Sequence, residues 1–295
     1  MSKTLIKGYI LVILSAVIFG TMPLMAKFIY ASGVNSLTLV LLRNILSLPV
    51  IAVLAKLTGR SLKIDKNTVP SISLIALMGS CVTPILLFSS YKFIPSGTAT
   101  VFHFIYPAVV FVAEFVFLKK KLKLTNFVSL VLCIVGVCMF YAPGQKLDLT
   151  GSLIALLSGV TYAIYIVLLS EFKHKEISGF VFGFYVTAVC SIVMLFALLI
   201  SGKLMLPSTM FGWLMSFVFA VAVNVGAVIL FQKGTFLTGG ARASILSTFE
   251  PITSVLAGIA FLGEPVGFAT IVGTILVIAG GIITAISDIK KASDN

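Results

Sequence analysis

Residues 241–265 read ARASILSTFEPITSVLAGIAFLGEP. The run is apolar and long enough to cross a hydrocarbon core, which takes roughly 20 residues of helix. It nevertheless carries Glu250 directly before Pro251 near its middle. A carboxylate at that depth costs roughly 2.5–3.5 kcal/mol on insertion scales, so it marks a protein interior or a wet cavity rather than a lipid face. Proline withholds a backbone N–H, so the helix is expected to bend at Pro251. A second copy lies upstream. Residues 97–121 read GTATVFHFIYPAVVFVAEFVFLKKK, with Tyr106-Pro107 where the later copy has Glu250-Pro251.

The rest of the chain extends this pattern. Of 295 residues, 59% are hydrophobic and only 10% charged, and the mean hydropathy is +1.18. This composition excludes a soluble domain and predicts an all-α polytopic membrane protein. Ten helices are expected, at about residues 8–30, 36–57, 70–92, 95–117, 125–142, 150–170, 179–200, 209–233, 241–262 and 268–286. Small-residue breaks such as Ser32-Gly33, Thr58-Gly59, Pro143-Gly144, Ser201-Gly202 and Gly239-Gly240 separate them.

The net charge of +12 is topological in this setting, and nucleic acid is not an expected partner. With both termini placed in the cytoplasm, outer segments hold only Lys92, Lys146 and Lys203. Lys27 and Arg43 fall within helices, and the other Lys and Arg lie in inner segments. This is the positive-inside bias. The first apolar segment lacks a small-residue cleavage site and is expected to stay in the membrane. Cys81, Cys133, Cys138 and Cys190 all fall in helices without metal-ligand spacing and read as packing residues. No phosphate loop and no metal cluster is present, so neither an ATP-driven pump nor a metal or other cofactor is expected.

The two halves repeat. At an offset of 144, Ala99, Pro107, Ala113, Phe117, Leu118 and Gly136 fall on Ala243, Pro251, Ala257, Phe261, Leu262 and Gly280. At 143, Ser15 falls on Ser158 and Phe19 on Tyr162. The expected units are residues 1–145 and 146–295. Each holds five helices, and an odd number sends the second copy through the membrane upside down. Inverted repeats are the architecture of alternating-access carriers.

Ten spans in a five-plus-five order, Pro107 and Pro251 in helices four and nine, and FLGEP at 261–265 followed by GTILVIAGGII together resemble the drug/metabolite transporter superfamily, EamA type. In the first repeat, lysines replace the Gly-Glu of that motif, which points to a structural role for Glu264. The resemblance implies a bacterial inner-membrane carrier that most often exports amino acids or other small metabolites. It also implies a central cavity lined mainly by helices one, three, four, six, eight and nine.

Several residues could supply the chemistry. Glu250 shares a helical face with Ser247 and Ser254, and either binds substrate or a coupling proton or ties helices together. His103 lies on a face with Thr100, Tyr106 and Pro107; it lines a cavity, relays a proton or is a satisfied interior residue. Arg43 either snorkels outward or presents its fork to a substrate carboxylate. Tyr162 and Tyr165 carry hydroxyls that need partners, and Phe19 is the repeat mate of Tyr162. Asn224 and Gln232 either meet substrate or bond between helices. Glu114 is expected to form an interfacial ion pair near Lys119. Pro23, Pro49 and Pro84 should kink helices one to three. Small residues every four positions, Gly151, Ala155, Gly159 and Ala163, prepare one face of helix six for close packing.

The functional expectation is a secondary carrier for a small metabolite. A metabolite uptake carrier and a passive channel or facilitator are the alternatives. An enzyme is not expected, because no nucleophile-base or metal constellation occurs.

Overall fold

The computed structural model describes residues 3–94, 96–120, 124–139, 148–262 and 267–293. Expectations resting on Pro95, Lys121, Lys123, Pro143-Gly144, Lys146 and Gly263 to Pro265 lie outside these residues. Among the described residues, ten helical rods follow in chain order. The first, α1, comprises Lys3–Gly20 and Met22–Tyr30; α2 is Ser36–Leu57; α3 runs Lys66–Ser90. Rod α4 comprises Ser96–His103 and Tyr106–Val116, and α5 is Leu124–Cys138. In the second half α6 is Leu149–Ser170, α7 is Gly179–Ser201, and α8 runs Met210–Thr238. Rod α9 comprises Gly240–Leu246 and Phe249–Leu262, and α10 is Phe268–Ser293. Eight of these are long and apolar enough to span a membrane, and two shorter apolar stretches, Leu124–Cys138 and Ile271–Thr284, accompany them. Side chains such as Ile10, Val53, Phe196, Ile200 and Phe268 point outward from the bundle. In water this would be an aggregating surface; in a bilayer it is the lipid face.

Polar punctuation sets the ends. Asn35 accepts the Thr38 N–H at 2.8 Å, Asp148 that of Gly151 at 2.7 Å, and Thr209 that of Gly212 at 3.1 Å, capping α2, α6 and α8. Gly202 ends α7 in the left-handed region at φ 63°. One boundary differs materially from expectation. Helix α8 continues to Thr238, so Lys233 lies in a helix rather than an inner loop. Its ammonium sits 5.1 Å from the centre of the Phe180 ring, and the long stem lets the charge follow the helix to its end.

The packing obeys a two-fold exchange of the repeats. Helix α2 packs on α7 and α5 on α10, each with its own counterpart. The α1–α8 pair is matched by α6–α3, the α1–α9 pair by α6–α4, and α8–α2 by α3–α7. The two halves match in finer detail too. Helix α4 breaks at residues 104–105 and α9 at 247–248, just before Pro107 and Pro251. Helix α3 carries a π-helical turn at Leu77–Val82 and α8 one at Val221–Val228. The breaks were expected from the prolines; the paired π turns were not, because no single residue type demands them. Among the other prolines, Pro23 starts the second segment of α1 and Pro84 opens the segment after the π turn of α3. Pro49 lies within an α2 that remains one helix.

Without water in the hydrocarbon, a carbonyl released by proline must be accommodated by protein. Pro84 has no N–H for the carbonyl of Ser80, and that oxygen accepts from the Cys190 thiol of α7 at 3.1 Å. The same thiol lies 2.7 Å from that of Cys81, a meeting of α3 and α7 that spacing in the sequence does not reveal. Pro107 likewise withholds an N–H from the His103 carbonyl, and Gly159 of α6 packs against that oxygen. A Cβ on Gly159 would stand 2.5 Å from it.

This closeness gives a prediction. Helical Gly→Ala ordinarily stabilises by about 1 kcal/mol. Gly183→Ala should show that gain or be neutral, because its added methyl meets only the Ile229 side chain at 3.1 Å. Gly159→Ala should instead destabilise, by about 1–3 kcal/mol, because backbone must move. Thermal unfolding of both variants in detergent reads the two signs; equal shifts would contradict the close α4–α6 approach.

Candidate functional site

One cavity lies where α4 and α9 break. It encloses about 540 Å³ of empty space, its open mouth included. Phe19 and Met22 of α1, Arg43 of α2, and His103 of α4 contribute to its wall, with Tyr162 and Tyr165 of α6, Val228 of α8 and Glu250 of α9. Helix α3 supplies a continuous stripe: Gly79, Ser80, Thr83, Pro84, Leu87 and Phe88. These fall at helical spacing on one face. Of these six only Pro84 stands out in the sequence, as a helix-bending proline; the other five are too ordinary in type to mark a cavity wall. The expected helices all contribute, and α2 joins them through Arg43.

Glu250 is half-buried and sits in the first turn after the α9 break. Its carboxylate makes no ion pair or side-chain hydrogen bond among the described residues. Arg43 is only 3% exposed. Its guanidinium therefore does not snorkel to the surface; it faces the cavity, its Nε has no hydrogen-bond partner, and no described carboxylate lies within ion-pair distance. His103, also buried, holds Ser158 of α6 at 2.8 Å through Nδ1. A cation, a carboxyl group and an imidazole thus share one enclosed space, with the two charged groups not paired to each other.

Aromatic rings build the remaining wall. Tyr162 and Tyr165 stack with centroids 5.4 Å apart, and Phe231 of α8 stacks on them at 5.9 and 6.2 Å. The Tyr165 ring lies over Gly79, where any Cβ would come within 2.3 Å of it. Glycine is therefore required at that point of the α3 π turn. Tyr162 also packs on His103 at 5.3 Å and, edge-on, on Tyr106 at 4.8 Å.

Not every candidate reaches the cavity. Tyr106 is fully buried behind it, its hydroxyl 2.7 Å from the Ser247 hydroxyl. This bond joins the two broken helices at their breaks, so Ser247 does not share the cavity wall with Glu250. Asn224 is a brace: its amide reaches the Arg43 carbonyl at 2.7 Å, Ser47 at 3.0 Å and Asn44 at 3.2 Å. It thereby holds the backbone that carries Arg43. Gln232 is fully buried beside Tyr165 and outside the cavity lining. Pro84 lines the cavity, whereas Pro23, Pro107 and Pro251 shape helices without lining it. Among the described residues no group of His, Cys, Asp or Glu is arranged to hold a metal ion.

The cavity extends from mid-depth toward the end where α1 and α3 finish. A polar clasp joins α4, α6 and α9 at the opposite end of the bundle. Glu114 of α4 is buried and pairs with Lys120, not with Lys119, at 3.3 Å; Lys120 also meets Glu171 at the end of α6 at 2.7 Å. The same Glu114 oxygen accepts the Ala241 N–H at 3.3 Å, placing negative charge on the N-terminus of α9, where the helix dipole favours it. Partial burial works against the charge on Lys120, but its hydrogen bond to Glu171 and the field of Glu114 outweigh this and hold its pKa above the ordinary lysine value.

The comparisons with known proteins agree with this architecture. The model of the EamA-like transporter family matches twice, over residues 6–142 and 149–286. An uncharacterized transporter of Clostridium kluyveri is 23% identical over 98% of this chain and 96% of its own length. An uncharacterized inner membrane transporter of Salmonella typhimurium, YicL, is 23% identical over 97% of each chain. A solved structure superposes with a TM-score of 0.77 at 17% identity, covering 96% of this chain and 98% of the other, and so shares the fold. Matched over both of its five-helix repeats, this multi-pass membrane protein belongs to the EamA-like transporter family, within the drug/metabolite transporter superfamily.

Proposed function

We propose that this transporter is a secondary active carrier that exports a small amphipathic metabolite, an amino acid or related compound, across the bacterial inner membrane. One observation carries the reading: Arg43 and Glu250 face the same aromatic-walled cavity and neither is neutralised by a protein partner. Unpaired charges at membrane depth are costly, and a zwitterion would neutralise both. Its carboxylate would take the fork of Arg43 in charge-assisted hydrogen bonds. Its ammonium, or a coupling proton when the site is empty, would sit on Glu250. The Tyr162 and Tyr165 faces would hold its apolar part and favour a cation nearby. His103, buried beside Tyr162, would relay the proton or orient the ligand. No enzymatic activity is part of this reading.

Alternating access follows from the inverted repeats. With both termini placed in the cytoplasm, the orientation that the lysine bias supports, the Glu114–Lys120–Glu171 clasp would lie on the cytoplasmic side and the cavity would be offset toward the outside. Rocking the repeats would break the clasp and close the outer half around the α3 stripe. The Tyr106–Ser247 bond ties the α4 and α9 breaks through that motion. Direction depends on gradients, so uptake by the same machinery is the nearest alternative. A passive facilitator would differ in showing no saturation and no trans-stimulation.

Proteoliposomes loaded with a panel of amino acids test this reading. Saturable flux with trans-stimulation is expected for at least one. Removing a hydrogen bond to a charged group costs about 1.5–3 kcal/mol. Arg43→Lys, which keeps the charge but loses the fork, should therefore lower apparent affinity by one to two orders of magnitude. Glu250→Gln should abolish the pH dependence of flux; normal transport with an unchanged pH profile would remove Glu250 from the mechanism.

The clasp makes a separate prediction. If it opens in every cycle, Glu114→Gln removes about 1 kcal/mol of partly exposed ion pairing. Exchange at saturating substrate should then quicken several-fold with little change in thermal stability. An unchanged exchange rate would mean that the clasp stays closed during transport.

A further inference from the structure

We propose that a groove at the cytoplasmic-loop end of α2 is a binding site for one anionic phospholipid. The groove lies between the end of α2, the following loop and α7. Lys56, Arg60 and Lys63 line it together with Ala52, Val53 and Tyr185, and it holds about 1010 Å³, its open mouth included. All three cations are exposed, and none forms an ion pair with a described residue. Asp65, the acidic residue of the loop, is committed elsewhere: its carboxylate accepts the Asn67 N–H at 3.1 Å and caps the start of α3. Lys233 stands close enough to Arg60 to add to the positive field.

Basic residues at the ends of membrane helices usually need no ligand, since the positive-inside bias alone accounts for them. Two features separate this cluster from that background. First, the loop is fastened. Tyr185, within α7, donates its hydroxyl proton to the Leu62 carbonyl at 2.9 Å, so Arg60 and Lys63 are held against the bundle rather than trailing in solvent. Second, the groove is amphipathic along the membrane normal. Ala52 and Val53 lie a turn inside Lys56 on a membrane-spanning helix, and Val53 and Leu57 are 55% and 77% exposed. A free anion would satisfy the cations and leave this apolar floor unused. A phospholipid satisfies both, with its phosphate among Lys56, Arg60 and Lys63 and the start of an acyl chain along Ala52 and Val53. Juxtamembrane cations attract anionic headgroups by about fivefold in affinity each, so the three together favour an anionic lipid over a zwitterionic one by about a hundredfold. The site lies outside the central cavity and does not depend on what is transported.

Native mass spectrometry of the purified full chain in phosphatidylcholine-containing micelles, titrated with phosphatidylglycerol, tests the site. One phosphatidylglycerol per chain should be retained preferentially. Replacing Lys56, Arg60 and Lys63 by Gln should weaken its retention by about a hundredfold. Replacing the exposed Lys119, Lys173 and Lys175 by Gln removes equal charge from the same end and should change it less than threefold. Tyr185→Phe keeps every charge but frees the loop, and should weaken retention several-fold with an unchanged melting temperature in phosphatidylcholine alone. Equal losses in the two triple variants would show diffuse attraction and overturn the site. Displacement by inorganic phosphate or glycerol phosphate at concentrations matching the lipid would show a free-anion site and also overturn it.

Discussion

The hydrocarbon interior makes every backbone group exposed to it without a partner costly, and this constraint organises the bundle. Prolines at 84 and 107 each release a carbonyl one turn earlier. The protein answers the first with the Cys190 thiol and brings Gly159 against the second. Each answer draws together two helices from different repeats, α3 with α7 and α4 with α6. The irregular backbone that results surrounds the cavity, the one place at membrane depth where non-helical geometry can be tolerated. Proline positions thus determine where the bundle can be hollow.

Around that hollow the two repeats share a scaffold and divide the chemistry. The breaks in α4 and α9, the π turns in α3 and α8, and the pairings of α2 with α7 and α5 with α10 are common to both halves. The groups with chemical character are not. Glu250 occupies the place of Tyr106, and Ser247 that of His103. The Tyr106–Ser247 bond therefore has as its pseudo-symmetric counterpart the pair Glu250 and His103, both of which line the cavity. One crossing became a structural tie, and the other was left unpaired where a ligand can reach it.

Much of the fold was legible in the residues because the bilayer imposes a simple length and polarity rule. The spans at 36–57, 149–170 and 179–201 agree with expectation to within a residue. The cavity was partly legible for the same reason, since charged and hydroxyl-bearing aromatic side chains are rare at such depth. Arg43, His103, Tyr162, Tyr165, Phe19 and Glu250 all reach it. Uncharged polar residues were not resolved by that rule. Asn224 has the donors to bind a ligand or a helix, and only the proximity of Ser47 and the Arg43 carbonyl selects the brace. Lys120 replaces the expected Lys119 as partner of Glu114 because the chain turns through a left-handed Lys119, at φ 50°, on leaving α4.

By itself the sequence determined that the chain is a ten-helix membrane protein built of two inverted halves. Hydropathy, lysine placement and a repeated proline are properties of segments, and they survive without knowledge of neighbours. Tertiary structure alone decided which groups meet: Cys81 with Cys190, Tyr106 with Ser247, Glu114 with Ala241, and the basic groove with Tyr185. Such contacts join residues far apart in sequence and depend on the rotation of each helix about its axis. Close packing at glycine faces sets that rotation, and no single segment encodes it.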